Sequence, residues 1–291
     1  MERVDLFLSQ LRDNLWGAPL LFFLLGTGIY LTIILKGIQF RYLGYAFKQV
    51  FARQRQGSKG DISHFQALMT SLAGAIGTGT IVGVATAVTV GGLGAIFWMW
   101  VTAFFSMATK YAESLLAVKY RELDKWKEMS GGPMQYIEKG LGWKWMAILF
   151  AILGMIAALS TGNLVQTNSI AEAVHHVWSI NPWLTGLVLC LLTMIVVLGG
   201  VKSIGNVASI LVPAMALLYI AAALFILVIY VDQIPAAFML IIHSAWKGQA
   251  AAGGFLGSTM MMAIQMGVAR SVFSNEAGLG ISSVAAAAAR T

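Results

Sequence analysis

The stretch SLAGAIGTGTIVG, Ser71–Gly83, places glycines at positions 74, 77, 79 and 83 within a run, Ile62 to Thr109, that contains no Asp, Glu, Lys or Arg. Glycine costs roughly 1 kcal/mol relative to alanine in a helix interior. Inside a bilayer, any backbone group that leaves a helix needs a partner within the protein or in a wet cavity. A membrane helix that glycines interrupt is therefore a candidate binding site.

The composition of the chain is that of a membrane protein. Of its 291 residues, 58% are hydrophobic and 11% are charged, whereas a soluble domain has about 25% charged residues. Several uncharged stretches reach the ~20 residues that a membrane-spanning helix needs. The sequence predicts an all-α, polytopic membrane helix bundle. Its seven predicted spans cover 16–35, 65–90, 95–118, 145–177, 183–200, 205–230 and 257–288.

The distribution of basic residues predicts the orientation. Two of the 19 Lys and Arg residues, Lys110 and Arg270, fall within predicted spans. With the N-terminus outside, only Arg3, Arg12 and Lys247 lie on the outer side, and the remaining fourteen lie on the cytoplasmic side. This bias predicts a multi-pass membrane protein with the N-terminus outside, and the membrane in which we expect it is the bacterial inner membrane. Topology and the lipid bilayer then explain the net charge of +7, and no nucleic-acid partner is expected.

Two segments outside the spans have their own patterns. Apolar residues recur at helical spacing over 40–55, with basic residues beside them, which predicts an amphipathic helix on the cytoplasmic surface. The segment 232–254 mixes proline, glycine and polar residues, so we expect an outer loop with a short interfacial helix.

The last predicted span repeats the interruption. The stretch SNEAGLG, Ser274–Gly280, places an amide, a carboxylate and two glycines in an apolar run. Four spans separate it from the first interruption, so the two broken helices run in opposite directions across the membrane. Interrupted helices at corresponding positions of two inverted halves indicate a secondary-transporter site.

The spacing of the two interruptions predicts how the chain is organised. A first repeat of five helices occupies 65–230, after an extra N-terminal helix, and 257–288 begins a second repeat. The chain then holds one helix of that second repeat. We expect the product to be truncated at its C-terminus, or the partner helices to lie elsewhere.

The first interruption offers groups for an anion and for a cation. If the helix unwinds between Gly74 and Gly79, the N–H groups of Thr78 and Gly79 begin a half-helix and present its positive dipole end to a carboxylate. The carbonyl oxygens that end the preceding half-helix suit a hard cation such as Na⁺, and Thr80 adds a hydroxyl. Close helix packing explains the same glycines equally well, because Gly79 and Gly83 are four residues apart.

Polar residues in other spans leave similar alternatives open. Gln166 lies in a predicted span, where an amide either bonds to another helix or contacts a polar group of a substrate. Arg270 and Glu276 are ionisable residues in the last span, and Glu276 is expected to bind free backbone N–H groups there. The single cysteine, Cys190, excludes an intrachain disulfide framework. No nucleophile elbow, zinc motif or P-loop is present, so neither an enzyme nor a cofactor is expected.

Several long strings resemble the alanine or glycine:cation symporter family, over nearly the whole chain. They include GDISHFQAL at 60–68, GTGTIVGVATA at 77–87, GGPMQYIEKGLG at 131–142, GNLVQTNSIA at 162–171 and FSNEAGLG at 273–280. The resemblance implies a leucine-transporter-like inverted-repeat fold. It also implies Na⁺-coupled, or sometimes H⁺-coupled, uptake of alanine or glycine, in which Thr78, Gly79 and Gln166 contact the substrate.

These arguments give the predicted sites. The substrate site is predicted at Gly77, Thr78, Gly79, Thr80, Gln166 and Asn275. The sodium site is predicted at the backbone carbonyls of Ala73, Ala75 and Ile76.

The chain departs from the family pattern in three ways. Thr80 stands where the family usually has asparagine, and Gln135 where it usually has an aromatic residue. Family members also continue for about four more helices. The alternative function is a truncated, non-transporting membrane remnant or an assembly partner of a transporter.

Overall fold

The computed structural model describes Leu6 and residues 15–52, 59–125, 127–247 and 260–291. The positions 53–55 of the predicted amphipathic helix and 257–259 of the last predicted span lie outside these residues. The outer-side residues Arg3 and Arg12 lie outside them as well. Within the described part, helices joined by short connections make up nearly all of the structure.

The bounds of the helices follow the chain. They are α1 (Ala18–Ile34), α2 (Ile38–Arg41), α3 (Leu43–Val50), α4 (His64–Ala75), α5 (Thr78–Gly91), α6 (Gly94–Lys119), α7 (Pro133–Leu141), α8 (Lys144–Ala157), α9 (Val165–Trp178), α10 (Pro182–Leu198), α11 (Gly200–Ile229), α12 (Ile234–Lys247), α13 (Met260–Asn275) and α14 (Ile281–Ala287). A π-helical segment, Ala158–Leu164, joins α8 to α9, and a 3₁₀ turn, Val231–Gln233, precedes α12. Two short antiparallel strands, β1 (Glu122–Leu123) and β2 (Met129–Ser130), form a hairpin.

Among the described residues, three helical stretches are long and apolar enough to cross a membrane. They are His64–Gly91, which contains the interruption between α4 and α5, Lys144–Trp178 and Gly200–Ile229. The helices α1 and α10 are apolar but shorter. Apolar side chains on α10 are largely exposed, with Trp183 at 88% and Leu198 at 80%, as expected for a helix whose outer face contacts lipid.

One surface segment differs from the predicted helix. The single amphipathic helix predicted over 40–55 is two short helices, α2 and α3, because Tyr42 between them leaves the helical conformation with φ −116° and ψ 5°. In the segment 232–254, where an outer loop with a short interfacial helix was predicted, the structure has the 14-residue helix α12. Its interfacial position stays a prediction.

The chain divides into two compact units. Unit 1 comprises Met1–Phe40, Gly83–Thr109 and Leu227–Gly278. Unit 2 comprises Arg41–Val82, Lys110–Ile226 and Leu279–Thr291. Each unit therefore contains part of both interrupted helices.

In unit 1, α13 packs against two other helices. Val268 and Val272 are fully buried against Leu21 of α1. On the side that faces α6, a Cβ added to Gly267 would lie 2.6 Å from the backbone oxygen of Ala95. Glycine is therefore required at this close approach of two helices.

In unit 2, α4 and α14 pack against each other. The N–H of Asp61, before α4, donates to the carbonyl oxygen of Ala288 at 2.8 Å, and the N–H of Arg290, after α14, donates to that of Ile62 at 2.9 Å. The start of α4 therefore lies beside the end of α14. The two helices run in opposite directions.

The side chain of Arg121 holds the two segments that flank these helices. Its guanidinium donates to the carbonyl oxygens of Ala287 at 2.8 Å and Ala289 at 2.6 Å. It also donates to the carbonyl oxygen of Lys59 at 3.0 Å and to the hydroxyl of Thr291 at 2.7 Å. We call these five residues the Arg121 latch. The guanidinium of Arg121 therefore links the segment before α4 to the last residue of α14 and to the residues that follow this helix.

Candidate functional site

The first helix interruption lies between α4 and α5. The helix α4 ends at Ala75, Ile76 adopts φ −104° and ψ 81°, and α5 begins at Thr78. The N–H of Ile76 still donates to the carbonyl oxygen of Leu72 at 2.7 Å. The interruption therefore takes two residues, inside the predicted window from Gly74 to Gly79.

Helix geometry determines which backbone groups surround this interruption. The last carbonyls of a helix and its first N–H groups have no partner within the helix. These are the carbonyls of Ala73 and Ala75 in α4, and the N–H groups of Thr78 and Gly79, the first two residues of α5. The N–H of the next residue, Thr80, already donates to the carbonyl oxygen of Gly77 at 3.1 Å.

Thr80 connects the two half-helices. Its hydroxyl donates to the carbonyl oxygen of Ala75 at 2.8 Å. Thr80 therefore has a structural role, since its hydroxyl bridges the interruption. It also brings a hydroxyl oxygen next to one of the carbonyls that we predict to bind sodium.

The side chain of Gln166, on α9, lies against the interruption. The hydroxyl of Thr78 donates to Oε1 of Gln166 at 2.6 Å, across 88 positions of sequence. A Cβ added to Gly77 would lie 3.1 Å from both Oε1 and Nε2 of the same amide. The structure thus brings together Gly77, Thr78 and Gln166, three residues of the predicted substrate site. In this state the amide oxygen serves as an interhelical acceptor.

A π-helical segment positions Gln166. It covers Ala158–Leu164 and ends two residues before Gln166. Such segments are rare and are frequent at functional sites, because the extra residue per turn changes which side chains face a neighbouring helix. Sequence reasoning missed this element. The run of Ser160, Gly162 and Asn163 in an apolar helix is the available signal.

The second interruption lies between α13 and α14. The connection includes three residues with positive φ: Glu276 at 54°, Gly278 at 87° and Gly280 at 71°. Glycine adopts such backbone conformations readily, whereas residues with a side chain rarely adopt them. The oxygen Oδ1 of Asn275 accepts a hydrogen bond from the N–H of Ala277 at 2.9 Å. Asn275 therefore binds the free backbone N–H, a role that the sequence suggested for Glu276.

Asn275 lies in unit 1, and its described hydrogen bonds are local. Its Nδ2 donates to the hydroxyl of Ser271 at 3.3 Å. It also lines a cavity of about 220 Å³ together with Ser271, Ser274 and Trp100.

Among the described residues, no cluster of three or more His, Cys, Asp or Glu side chains is placed to hold a metal ion. The backbone carbonyls and the hydroxyl at the first interruption are hard oxygen donors, which suit an alkali or alkaline-earth cation.

Comparison with known proteins identifies the family. A model of the sodium:alanine symporter family matches residues 1–291. The sodium/alanine symporter AgcS of Methanococcus maripaludis is 53% identical over 296 residues, which cover 100% of this chain and 64% of that protein. An uncharacterised transporter of Haemophilus influenzae is 52% identical over 289 residues, 99% of this chain and 63% of the relative.

A more distant relative has a different name. The probable sodium/glutamine symporter GlnT of Bacillus subtilis is 40% identical over 280 residues, 96% of this chain and 58% of the relative. This chain spans about three fifths of the length of the curated relatives that it matches. The family match nevertheless covers the whole chain, so it does not bear out the truncation expected from the sequence. By its family and its apolar helices this is a multi-pass membrane protein, and the chain belongs to the sodium:alanine symporter family.

Proposed function

We propose that this chain carries the binding core of a sodium-coupled symporter for a small neutral amino acid, alanine or glycine, in the bacterial inner membrane. The observation that carries the proposal is the position of Gln166 against the interruption between α4 and α5. A half-helix N-terminus, a hydroxyl and an amide then converge on one small space. These are the groups that an amino-acid zwitterion requires.

The substrate carboxylate binds at the start of α5. The N–H groups of Thr78 and Gly79 donate to it, and the helix dipole stabilises its negative charge. The hydroxyl of Thr78 exchanges its bond with Gln166 for a bond with the carboxylate. The space is small, since even a Cβ on Gly77 would contact Gln166. This favours a substrate with a short side chain.

Sodium binds at the other side of the interruption. The proposed ligands are the carbonyl oxygens of Ala73, Ala75 and Ile76, with the hydroxyl oxygen of Thr80. The hydroxyl of Thr80 donates a hydrogen bond to the carbonyl oxygen of Ala75, so these two proposed ligand oxygens already lie 2.8 Å apart. The cation and the carboxylate bind on opposite sides of the two-residue interruption. Because their charges are opposite and close together, the attraction between them offsets part of the cost of removing each one from water. This explains coupling between ion and substrate.

The proposed architecture is the leucine-transporter-like inverted repeat, with the N-terminus outside. The opposite directions of α4 and α14 in unit 2 support it. These are the first half of one interrupted helix and the second half of the other. In such a fold, transport occurs by alternating access to a site near the middle of the membrane.

Uptake into proteoliposomes tests the proposal. The protein is reconstituted, and accumulation of radiolabelled alanine is measured with an inward Na⁺ gradient, with K⁺ in place of Na⁺, and with a proton gradient alone. We expect accumulation with Na⁺ that a sodium ionophore abolishes and that excess unlabelled glycine competes with. Uptake that is independent of the Na⁺ gradient would exclude sodium coupling. A reconstituted protein that binds no alanine would favour the non-transporting alternative.

A further inference from the structure

Unit 1 contains a cavity that none of the predicted site residues lines. Its volume is about 450 Å³, and it lies between α5, α13 and the residue Trp16. This is within the range of small-molecule sites, ~300–1,000 Å³. Its walls combine the aromatic rings of Trp16 and Phe273 with the polar side chains of Thr86, Gln265 and Arg270.

Arg270 is the only charged residue among the described residues that line this cavity. It lies in α13, and the other faces of this helix pack against α1 and α6. Its aliphatic part passes close to α5, because a Cβ added to Gly83 would lie 3.6 Å from Cδ of Arg270. Among the described residues, no carboxylate forms an ion pair with it. A guanidinium within an apolar helix of a membrane protein is costly, so it usually faces a cavity and a negatively charged partner.

We propose that this cavity is a second amino-acid site, in which the guanidinium of Arg270 binds the carboxylate of a small neutral amino acid. The identity of the ligand rests on the proposed function. The planar guanidinium presents two parallel N–H donors, which match the two oxygens of a carboxylate.

The rest of the cavity matches the remainder of a zwitterion. The aromatic rings of Trp16 and Phe273, which line the cavity, attract an ammonium group, and the side-chain oxygen of Gln265 accepts a hydrogen bond from it. No acidic side chain competes for Arg270 among the described lining residues. Thr86 of α5 also lines the cavity, and the first residues of the same helix form the proposed primary site. None of the described lining residues belongs to the proposed site at Gln166, so the two sites use different residues.

Protection of an engineered cysteine tests the site. Cys190 is the single native cysteine, so Cys190→Ser provides a background without thiols. In it, Thr86→Cys reports on the cavity, and Thr89→Cys, an exposed position on the same helix, is the matched control. The rate of reaction with a methanethiosulfonate reagent is measured in phosphatidylcholine vesicles with and without alanine.

We expect alanine to slow the labelling of Thr86→Cys and to leave that of Thr89→Cys unchanged. Alaninol, which lacks the carboxylate, should not protect. Adding Arg270→Gln should raise the alanine concentration needed for protection by about tenfold or more, because a charge-assisted bond to a carboxylate is lost. Arg270→Lys should retain part of the protection, and the size-exclusion profile of each variant confirms that it is folded.

Three results would overturn the proposal. One is an unchanged labelling rate of Thr86→Cys with alanine, and another is full protection in the Arg270→Gln variant. The third is protection by anionic phosphatidylglycerol in the vesicle and none by alanine, which would assign the cavity to a lipid phosphate. Sodium-driven alanine uptake by the unsubstituted protein is measured in parallel. It tests the proposed function separately, because transport without protection would reject this second site alone.

Discussion

The substitution Gly77→Ala tests whether the space between the helix interruption and Gln166 is the substrate site. Gly77 does not have a positive φ, so its backbone conformation accepts alanine. The added Cβ would lie 3.1 Å from Oε1 and Nε2 of Gln166 and 3.4 Å from its Cδ. The amide must therefore move by a few tenths of an ångström, and its 2.6 Å bond with the hydroxyl of Thr78 must lengthen.

The expected effect follows from the displacement of the Gln166 amide, which in the proposed site bonds to the substrate. A net hydrogen-bond contribution of about 0.5–1.5 kcal/mol corresponds to a roughly 2-fold to 13-fold loss of alanine affinity. Equilibrium binding of radiolabelled alanine measures it. The matched control is Gly186→Ala in α10, where an added Cβ meets no atom within 4 Å, and we expect no change in affinity there.

A double-mutant cycle gives the decisive comparison. In a Gln166→Ala background the atoms that oppose the new methyl group are gone, so Gly77→Ala should change alanine affinity by less than about 0.3 kcal/mol. If Gly77→Ala lowers the affinity equally in both backgrounds, the contact with Gln166 does not explain the effect. The assignment of this space as the substrate site would then be wrong.

Three further predictions concern the ion, the backbone and pH. Thr80→Val should weaken the sodium dependence of alanine binding severalfold while Thr80→Ser preserves it; equal loss in both would exclude a role for the hydroxyl. Gly60→Ala should lower the thermal unfolding temperature far more than Gly142→Ala. Both glycines have positive φ, but only at Gly60 would a Cβ lie 2.5 Å from another main-chain atom; equal shifts would contradict this. Burial, and secondarily the carboxylate of Glu113, raise the pKa of Tyr136 to about 12. The unfolded chain therefore loses this proton first, and stability should fall as pH rises from about 10 through 12. Phenolate absorbance in a pH titration checks the order, and ionisation of all tyrosines near pH 10 would refute it.

The helix interruptions were predictable because they follow from local chemistry. Glycines, which disfavour a regular helix, mark 74–79 and 278–280, and the structure interrupts its helices at 76–77 and at 276–280. The family was also recognisable from the sequence, since long strings around Gly77 and Gly278 match it. The roles of these residues in binding substrate and sodium remain predictions.

Other features depend on contacts that no local pattern encodes. The bond between Thr78 and Gln166 joins two helices, and its geometry depends on a π-helical segment that hydrophobic periodicity does not distinguish from an α-helix. Asn275 was predicted to contact substrate. Its contact with substrate stays a prediction, and in the structure its side-chain oxygen accepts a hydrogen bond from the N–H of Ala277. Arg121 was one of the fourteen basic residues predicted on the cytoplasmic side, and its contacts were not predictable because three of its acceptors are main-chain carbonyls.

The Arg121 latch also fixes an order of events during synthesis. Lys59 precedes Arg121 by 62 residues, whereas Ala287 and Ala289 follow it by 166 and 168 residues. At about 5–20 residues per second, roughly 8–34 seconds pass between translation of the guanidinium and translation of these later acceptors. The early acceptor is already available in that interval. Arg121 and the segment before α4 therefore form a prepared surface, and α14 completes it only when it is synthesised.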